Sequence, residues 1–152
     1  MLWQTIADEA ERESPLWAEA LLPPAERDVE PVFSPLADDR YRLGLETIYE
    51  GYLVHYGRPR LFRARETDEE LLLGDYLYAH GLVRIAELGE VEAIAALATL
   101  ISHCAHLRAE GAPGDGEAWA ETARGLGASI SELQAPDPAR DRALSAHARR
   151  VG

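Results

Sequence analysis

The sequence predicts an all-α fold, an antiparallel bundle of five to seven helices, and three observations support this prediction. Ala, Leu, Glu and Arg dominate the composition, and these residue types favour helices. Long runs of β-branched residues are missing. Apolar residues recur at helical spacing between glycine and proline breaks. A length of 152 residues fits one domain, residues 1–152, with its own hydrophobic core.

Charge and cysteine content narrow the classes of function. The net charge of -12 argues against a nucleic-acid partner, because proteins that bind nucleic acids usually carry clustered positive charge. The single cysteine, Cys104, cannot form an internal disulfide, and the first residues carry no basic leader followed by an apolar stretch. No apolar run is long enough to span a bilayer. We therefore expect a soluble cytoplasmic protein with no membrane span.

Residues 1–33 predict two short helices and a proline-rich connector. Leu2, Trp3, Ile6 and Ala10 lie on one helical stripe. The pair Ser14-Pro15 is typical of an N-cap followed by proline at the first helical position. Residues 23–35 contain four prolines, which predicts an extended connection.

Residues 34–111 predict three longer helices. The first begins at Ser34-Pro35 and ends before Gly57, and a basic loop, residues 57–65, follows it. Thr67 and Glu70 have the spacing of a capping box, with Thr67 as the N-cap. The helix that they open closes at Gly89. The next helix ends at Gly111, and the short turn between the two predicts an antiparallel hairpin over residues 69–110.

Residues 112–152 predict two shorter helices. One covers residues 117–126, where glycines interrupt the pattern. Asp137-Pro138 caps the last helix, which is rich in alanine and arginine.

The central part of the chain resembles the trans-prenyltransferases that build polyprenyl diphosphates. In that family a Gly-x-Pro loop precedes a helix with a Leu-x-Gly-Asp-Tyr/Phe-Leu segment, and residues 57–59 and 72–77 carry these patterns. Residues 46–55 are similar to the family helix that ends in Leu-Ile-His. The resemblance covers about residues 41–110, and it implies a truncated isoprenoid-synthase-like bundle.

The chain departs from this family at the metal site. Family members follow the histidine with Asp-Asp-x-x-Asp, whose carboxylates hold magnesium against a diphosphate. Here His55 is followed by Tyr56 and Gly57, and a gap-free comparison places Glu46 and Glu50 where the aspartates stand. No second aspartate-rich motif follows Gly111. The resemblance therefore implies no catalytic residue, no metal and no cofactor.

A chain that keeps these helices and lacks the aspartates is similar to the small subunits of heterodimeric polyprenyl diphosphate synthases. The resemblance implies a non-catalytic accessory subunit that pairs with a catalytic synthase or with itself through the hairpin. We expect the interface to include six residues of that hairpin: Leu72, Tyr76, Leu77, His80, Leu97 and Ile101. Two alternatives stay open, namely a stand-alone carrier or sensor for an isoprenoid chain, and a homodimeric helical scaffold.

The basic loop is the candidate ligand site. Arg58, Arg60 and Arg63 stand in a segment without acids, and arginine binds diphosphate groups in a bidentate manner. The alternative is a solvated loop that docks on an acidic neighbour. His103, Cys104 and His106, with His80 across the hairpin, are a weaker candidate for a metal site, since such spacing more often reflects packing.

Two further features have a structural and a functional interpretation. The tyrosines of residues 49–78 either line an apolar tunnel or, as is usual for aromatic residues at helical spacing, fill the core. Asp75, inside an apolar segment, is expected on the exposed side of its helix with a structural hydrogen bond.

Overall fold

The computed structural model describes residues 1–127 and 137–152, and within these residues the fold is all-α. The described part contains no β-strand, only an isolated antiparallel bridge between Leu21 and Phe62. The predicted all-α class is confirmed. Seven α-helices are present in the described ranges: α1 (Leu2–Glu13), α2 (Pro15–Ala20), α3 (Arg42–Tyr56), α4 (Thr67–Ala86), α5 (Val91–Glu110), α6 (Asp115–Gly125) and α7 (Pro138–Val151).

Several helix ends follow the signals in the sequence. Ser14 caps α2, because its Oγ accepts a hydrogen bond from the Leu16 amide at 3.1 Å. Asp137 caps α7 in the same way, with Oδ1 2.9 Å from the Ala139 amide. Gly111 ends α5 in the left-handed region at a φ of 63°, a conformation that glycine adopts without a steric penalty.

Two predicted helix starts are wrong. Ser34-Pro35 opens a single 3₁₀ turn, because Asp38 starts a second turn by accepting a hydrogen bond from the Arg40 amide, and α3 begins only at Arg42. Thr67 does not cap α4, since it is already the first helical residue and Glu66 stands at the N-cap without a side-chain hydrogen bond. Acidic residues in the first turn of α4 interact favourably with the helix dipole instead.

Helices α3 and α4 pack against each other at close range and run antiparallel. A Cβ on Gly81 would lie 2.4 Å from Ile48 Cγ1 and 3.1 Å from the Gly44 carbonyl. Seven residues after Gly44 on α3, a Cβ on Gly51 would lie 2.9 Å from the Gly74 carbonyl. Glycines seven residues apart on both helices therefore bring the two backbones together. The sequence predicted that α4 packs against α5 in a hairpin. The structure shows that α4 also packs against α3, and that this contact is closer.

The interior has two hydrophobic clusters. The larger one surrounds α3 and includes aromatic residues from distant segments, with Phe33 stacked on Trp119 at 5.5 Å between ring centroids. The smaller cluster lies under α1 and α2, where Ile6, Ala10 and Trp17 pack against α4 and the basic loop. The predicted stripe of α1 thus contributes Ile6 and Ala10 to the core, while Leu2 and Trp3 are partly buried.

Candidate functional site

The basic loop that follows α3 is held between the end of α2 and the end of α7. The Leu22 amide donates to the Leu61 carbonyl at 2.8 Å, and the Arg63 amide donates to the Ala20 carbonyl at 2.7 Å. On the other side, the Arg58 amide donates to the Arg150 carbonyl at 3.0 Å. The backbone of the loop is therefore fixed, and the directions of its arginine side chains are set by the fold.

Arg60 points into the interior, where its side chain is 0% exposed. Its guanidinium donates through Nη1 to Glu46 Oε2 at 2.5 Å and through Nε to Glu50 Oε1 at 3.0 Å. Backbone carbonyls of Glu30 and Glu46 accept its remaining hydrogen bonds. Burial alone would lower the pKa of Arg60, but the charges of Glu46 and Glu50 outweigh it and raise the pKa. The sequence suggested that Arg60 binds a ligand. In the structure its guanidinium is buried and bound to protein acceptors, so Arg60 is a structural cation.

The carboxylates of Glu46 and Glu50 are both buried in this cluster. Besides Arg60, Glu50 accepts hydrogen bonds from the Leu61 amide at 2.8 Å and the Arg60 amide at 2.9 Å. Glu46 accepts one from the Val32 amide at 3.3 Å. A guanidinium thus occupies the position that a divalent cation would need, and the two carboxylates have no direction left that faces solvent.

The other two predicted arginines line an open groove of about 550 Å³. Arg58 and Arg63 approach it from the basic loop, and Arg149 and Arg150 approach it from the last turn of α7. Four acidic residues also line the groove: Glu26, Asp28, Glu30 and Glu70. The structure therefore brings Arg58 and Arg63 together with two arginines that no sequence motif connects with them.

The arginines of this groove differ in how they are paired. Arg150 is buried and donates through Nη2 to Asp28 Oδ2 at 2.6 Å, while Arg149 lies 3.7 Å from Glu30. Arg58 donates to the Arg149 carbonyl and so caps the end of α7. Among the described residues, neither Arg58 nor Arg63 forms an ion pair with a carboxylate. Of the groove's four arginines, these two have no carboxylate partner in the part of the chain that the structure describes.

A second polar cluster joins α3, α5, α6 and α7. Asp115 Oδ2 accepts hydrogen bonds from Tyr52 Oη at 2.6 Å and from Arg108 Nη2 at 2.5 Å, and His147 Nε2 lies 2.9 Å away. The other nitrogen of His147, Nδ1, lies 2.7 Å from Tyr49 Oη. Burial would raise the pKa of Asp115, but the bonds from His147, Tyr52 and Arg108 hold it well below its usual range.

The order Tyr49–His147–Asp115 has the connectivity of a nucleophile, a base and an orienting acid. Tyr49 and His147 are only 1% and 3% exposed, however, so no substrate atom reaches the hydroxyl. Burial raises the pKa of Tyr49 far above its ordinary value, as it does for Tyr52. The cluster therefore links α3, α5, α6 and α7 through hydrogen bonds, and Tyr49 and Tyr52 are core residues.

The predicted interface residues have different surroundings. Leu77 and Leu97 are 1% and 0% exposed and belong to the core, so they are not available to a partner. Tyr76 stacks on Trp17 at 5.7 Å between ring centroids, and His80 Nε2 lies 2.6 Å from Glu9 Oε2. Helices α1 and α2 thus cover this side of α4. Ile101 is half-buried against the larger core cluster, and Leu72 is 58% exposed.

Exposed large apolar residues are frequent in the segment of the chain that contains Leu72. Of the eight in the described residues, five lie between positions 71 and 91, on α4, the α4–α5 turn and the first residue of α5. On α4, Leu72 and Val83 lie on the same side as exposed Ala79 and Ala86, while Leu71 lies about 100° from Leu72 around the helix. We call this surface the α4–α5 face, and its large apolar members are Leu71, Leu72, Val83, Leu88 and Val91.

The remaining sequence candidates do not assemble into a site. Cys104 is buried and His103 and His106 are exposed, while His80 bonds to Glu9. Over residues 1–127 and 137–152, no three metal-ligating side chains come together. Asp75 is exposed as expected and pairs with His55 at 3.3 Å, which joins the two segments that carry the family resemblance. None of the helices in these ranges has the length and apolar character that a membrane span requires.

Sequence reasoning missed both buried polar clusters. One signal was present for the first: Glu46 and Glu50 lie among apolar residues of α3, and buried carboxylates require a cation. No local signal links His147 to Asp115, because 32 positions separate them. Comparison of the chain with protein-family models, with curated proteins and with solved structures finds no match to any of them.

Proposed function

We propose that this chain is a non-catalytic accessory subunit that pairs with a catalytic trans-polyprenyl diphosphate synthase in isoprenoid biosynthesis, in the cytoplasm. Its α4–α5 face is the proposed docking surface. The family part of this proposal rests on the resemblance of residues 41–110. The docking part rests on the geometry.

The observation that carries the proposal is the concentration of exposed apolar side chains on one helical surface. Leu72, Val83 and Val91 are 58%, 53% and 75% exposed. Exposed apolar surface costs free energy in water, and larger patches of it are typical of sites where proteins associate. Helical partners bury such a surface by packing their own apolar stripes against it.

Charge favours a different protein over a second copy of this chain. Residues 66–92 contain eight acidic residues and a single arginine, Arg84, which pairs with Glu9 on α1. Two copies that met through this segment would bring two sets of these acidic residues toward each other, and like charges at an interface disfavour association. The proposed partner therefore presents an apolar helical surface with basic residues at its edge.

The Arg60 cluster supports the absence of independent catalysis. Ionisation of an allylic diphosphate requires magnesium held by carboxylates. Here the two carboxylates at the corresponding positions of the sequence bind a buried guanidinium instead. The purified chain is therefore expected to give no product in a magnesium-dependent condensation assay.

The test uses co-expression with the polyprenyl diphosphate synthase of the same organism. We expect a heteromeric complex in light scattering and a change in product chain length relative to the synthase alone. The double variant Leu72→Glu, Val83→Glu should weaken the complex at least tenfold. The matched control, Leu16→Glu with Val29→Glu, changes two similarly exposed apolar residues outside the face and should leave the affinity unchanged.

Three results would contradict the proposal. The first is a monomer that does not associate with the synthase. The second is a homodimer that the Leu72→Glu, Val83→Glu variant disrupts, because it would assign the face to a second copy. The third is prenyl transfer by the chain alone.

A further inference from the structure

We propose that α1 is a releasable cover of α4, and that an amphipathic helix of the partner, carrying a carboxylate, takes its place on His80 and Arg84. The inference rests on the proposed function only for the identity of that partner. The release of α1 is a property of the chain itself, so it is tested on the chain alone.

The first argument is that side chains alone attach α1 to the body of the protein. In the part of the chain that the structure describes, no backbone hydrogen bond joins α1 to α3, α4 or the basic loop. The end of α2 is anchored differently, because the Ala20 carbonyl accepts a hydrogen bond from the Arg63 amide at 2.7 Å. Release of α1 therefore breaks no backbone hydrogen bond to these elements, and α2 stays in place.

The second argument is the position of Ser14 between α1 and α2. Its backbone is extended, with a φ of -159° and a ψ of 140°, so the helical hydrogen-bond pattern is interrupted there. Its side chain caps α2 by accepting a hydrogen bond from the Leu16 amide. Residues at the ends of helices commonly act as hinges, because a change in their backbone angles turns one element against the next. Rotation at Ser14 moves α1 and leaves α2 folded.

The third argument is that α1 contributes little to the apolar interior. Three of its 12 residues are buried, and Ile6 is the only large one among them; the others are Ala7 and Ala10. Leu2 and Trp3 are partly buried. Segments with few buried apolar contacts open at a lower cost in free energy than the core of the same protein. We therefore expect α1 to open without unfolding of the bundle.

Glu9 supplies the polar contact between α1 and α4. Its Oε2 atom accepts a hydrogen bond from Arg84 Nη2 and lies 2.6 Å from His80 Nε2. Within residues 1–127 and 137–152, no other side chain of α1 forms a hydrogen bond or an ion pair with another helix. The Glu9 side chain is 28% exposed, so water reaches this contact. The charge of one carboxylate thus holds the cover closed.

Arg84 is incompletely satisfied while α1 is closed. Its Nε atom is buried and has no hydrogen-bond partner among the residues that the structure describes. A buried donor without a partner lowers the stability of the state that contains it. Water reaches Arg84 when α1 leaves, and a carboxylate that replaced Glu9 in a bidentate manner would bond to two of its N–H groups.

The surface under α1 is continuous with the α4–α5 face. His80 and Val83 are three positions apart on α4, which places them about 60° apart around the helix. Release of α1 leaves His80 and Arg84 without Glu9 and uncovers apolar side chains of the smaller cluster. The occupant that fits this surface combines an apolar stripe with a carboxylate, as α1 itself does. This carboxylate adds to the basic edge expected of the partner.

Hydrogen exchange of the full chain without a partner tests the release. We expect protection factors in α1 to be at least tenfold lower than those in α3. Glu9→Gln removes the counterion of Arg84 and should lower the protection of α1 at least fivefold further, without a change in α3. The matched control is Glu11→Gln, since Glu11 is exposed on the same helix. Equal protection of α1 and α3 would overturn the proposal, and so would equal effects of the two variants.

A labelled synthetic peptide of residues 1–13 tests whether the uncovered site accepts a separate helix. It should bind the full-length Glu9→Gln chain at least fivefold more tightly than the unmodified chain, because the altered α1 competes less well for the site. A peptide that carries Glu9→Gln itself should bind at least fivefold more weakly. Absence of peptide binding to the Glu9→Gln chain up to millimolar concentration would overturn the proposed site.

The same variant separates this inference from the proposed function. In a complex with the synthase, Glu9→Gln should tighten binding at least threefold, because less free energy is needed to displace α1. Unchanged or weaker binding would overturn the role of α1 in docking and leave the α4–α5 face as the docking surface. If the chain does not bind the synthase at all, the proposed function fails, and exchange and peptide binding still decide whether α1 is a cover.

Discussion

Arg60 and Glu50 form an ion pair from which water is excluded, with Nε 3.0 Å from Oε1 and both side chains 0% exposed. The guanidinium also lies over the ring of Trp3, 4.5 Å from its centroid, so that one cation connects α1, α3 and the basic loop. Removal of one partner from a buried ion pair is costly, because the charge that remains has neither water nor a counterion.

The first prediction follows from this cluster. The Arg60→Leu variant leaves Glu46 and Glu50 buried without their cation, and we expect it to lower the free energy of unfolding by about 3–5 kcal/mol. Urea denaturation followed by circular dichroism measures the change. Arg63→Leu, in the same loop but exposed, should change the value by no more than about 0.5 kcal/mol. A loss below about 1 kcal/mol for Arg60→Leu would mean that the cluster does not stabilise the fold.

The second prediction concerns the close contact of α3 and α4. A methyl group at position 81 would overlap Ile48, so Gly81→Ala should destabilise the protein by about 1–3 kcal/mol, the usual cost of overpacking. Gly125, at the end of α6, has open space around its Cα. Gly125→Ala is the matched control and should be neutral or stabilising by up to about 1 kcal/mol. Thermal unfolding of the two variants compares them, and equal stability would refute the steric account.

The third prediction is a pH dependence that arises from Asp115. Because its pKa is depressed in the folded protein, its contribution to stability is fully present above the unfolded pKa of about 3.9. The contribution is lost as the pH falls through the lower, folded pKa. Asp115→Asn should therefore reduce stability at pH 7 and make the decline below about pH 5 shallower.

Unfolding in urea at pH 7, 5, 4 and 3 checks this prediction. The pKa of Glu9 is also lowered by His80 and Arg84, although burial opposes the shift, so some acid sensitivity should persist in the Asp115→Asn variant. A variant whose stability declined with acid as steeply as that of the unmodified protein would show that Asp115 is not a source of the pH dependence.

The fourth prediction concerns the single cysteine. Cys104 is 0% exposed, and burial together with the nearby Asp115 raises its pKa to about 11. The thiol should not react measurably with Ellman's reagent at pH 8 in the folded protein, and one equivalent should react in denaturant. Rapid stoichiometric reaction without denaturant would show that this part of α5 opens readily.

Local signals in the sequence were sufficient for the fold class and for several helix ends. The caps at Ser14 and Asp137 and the glycine turn at Gly111 were predicted because each depends on a few neighbouring residues. The capping box at Thr67 failed because the helix gained its first turn one residue earlier than the motif requires. Helix propensity does not distinguish a helix whose N-cap is Glu66 from one whose N-cap is Thr67.

The sites were less predictable, because burial depends on residues far apart in the chain. Arg58, Arg60 and Arg63 look alike in the sequence, yet Arg60 is completely buried and the other two are exposed. The difference is set by Glu46 and Glu50 on α3, which only the tertiary structure brings to Arg60. Leu72 and Leu77 differ in the same way, and only Leu72 remains available to a partner.

The position of the first two helices limits which proteins can approach α4. Trp17 stacks on Tyr76, and Glu9 bonds to both His80 and Arg84, so residues of the chain itself occupy one side of α4. A tethered segment acts at an effective concentration on the order of millimolar, which a protein free in solution seldom reaches. Helices α1 and α2 therefore compete with other proteins for that side of α4. While they stay in place, a binding partner can reach α4 only on the α4–α5 face, which these helices leave exposed.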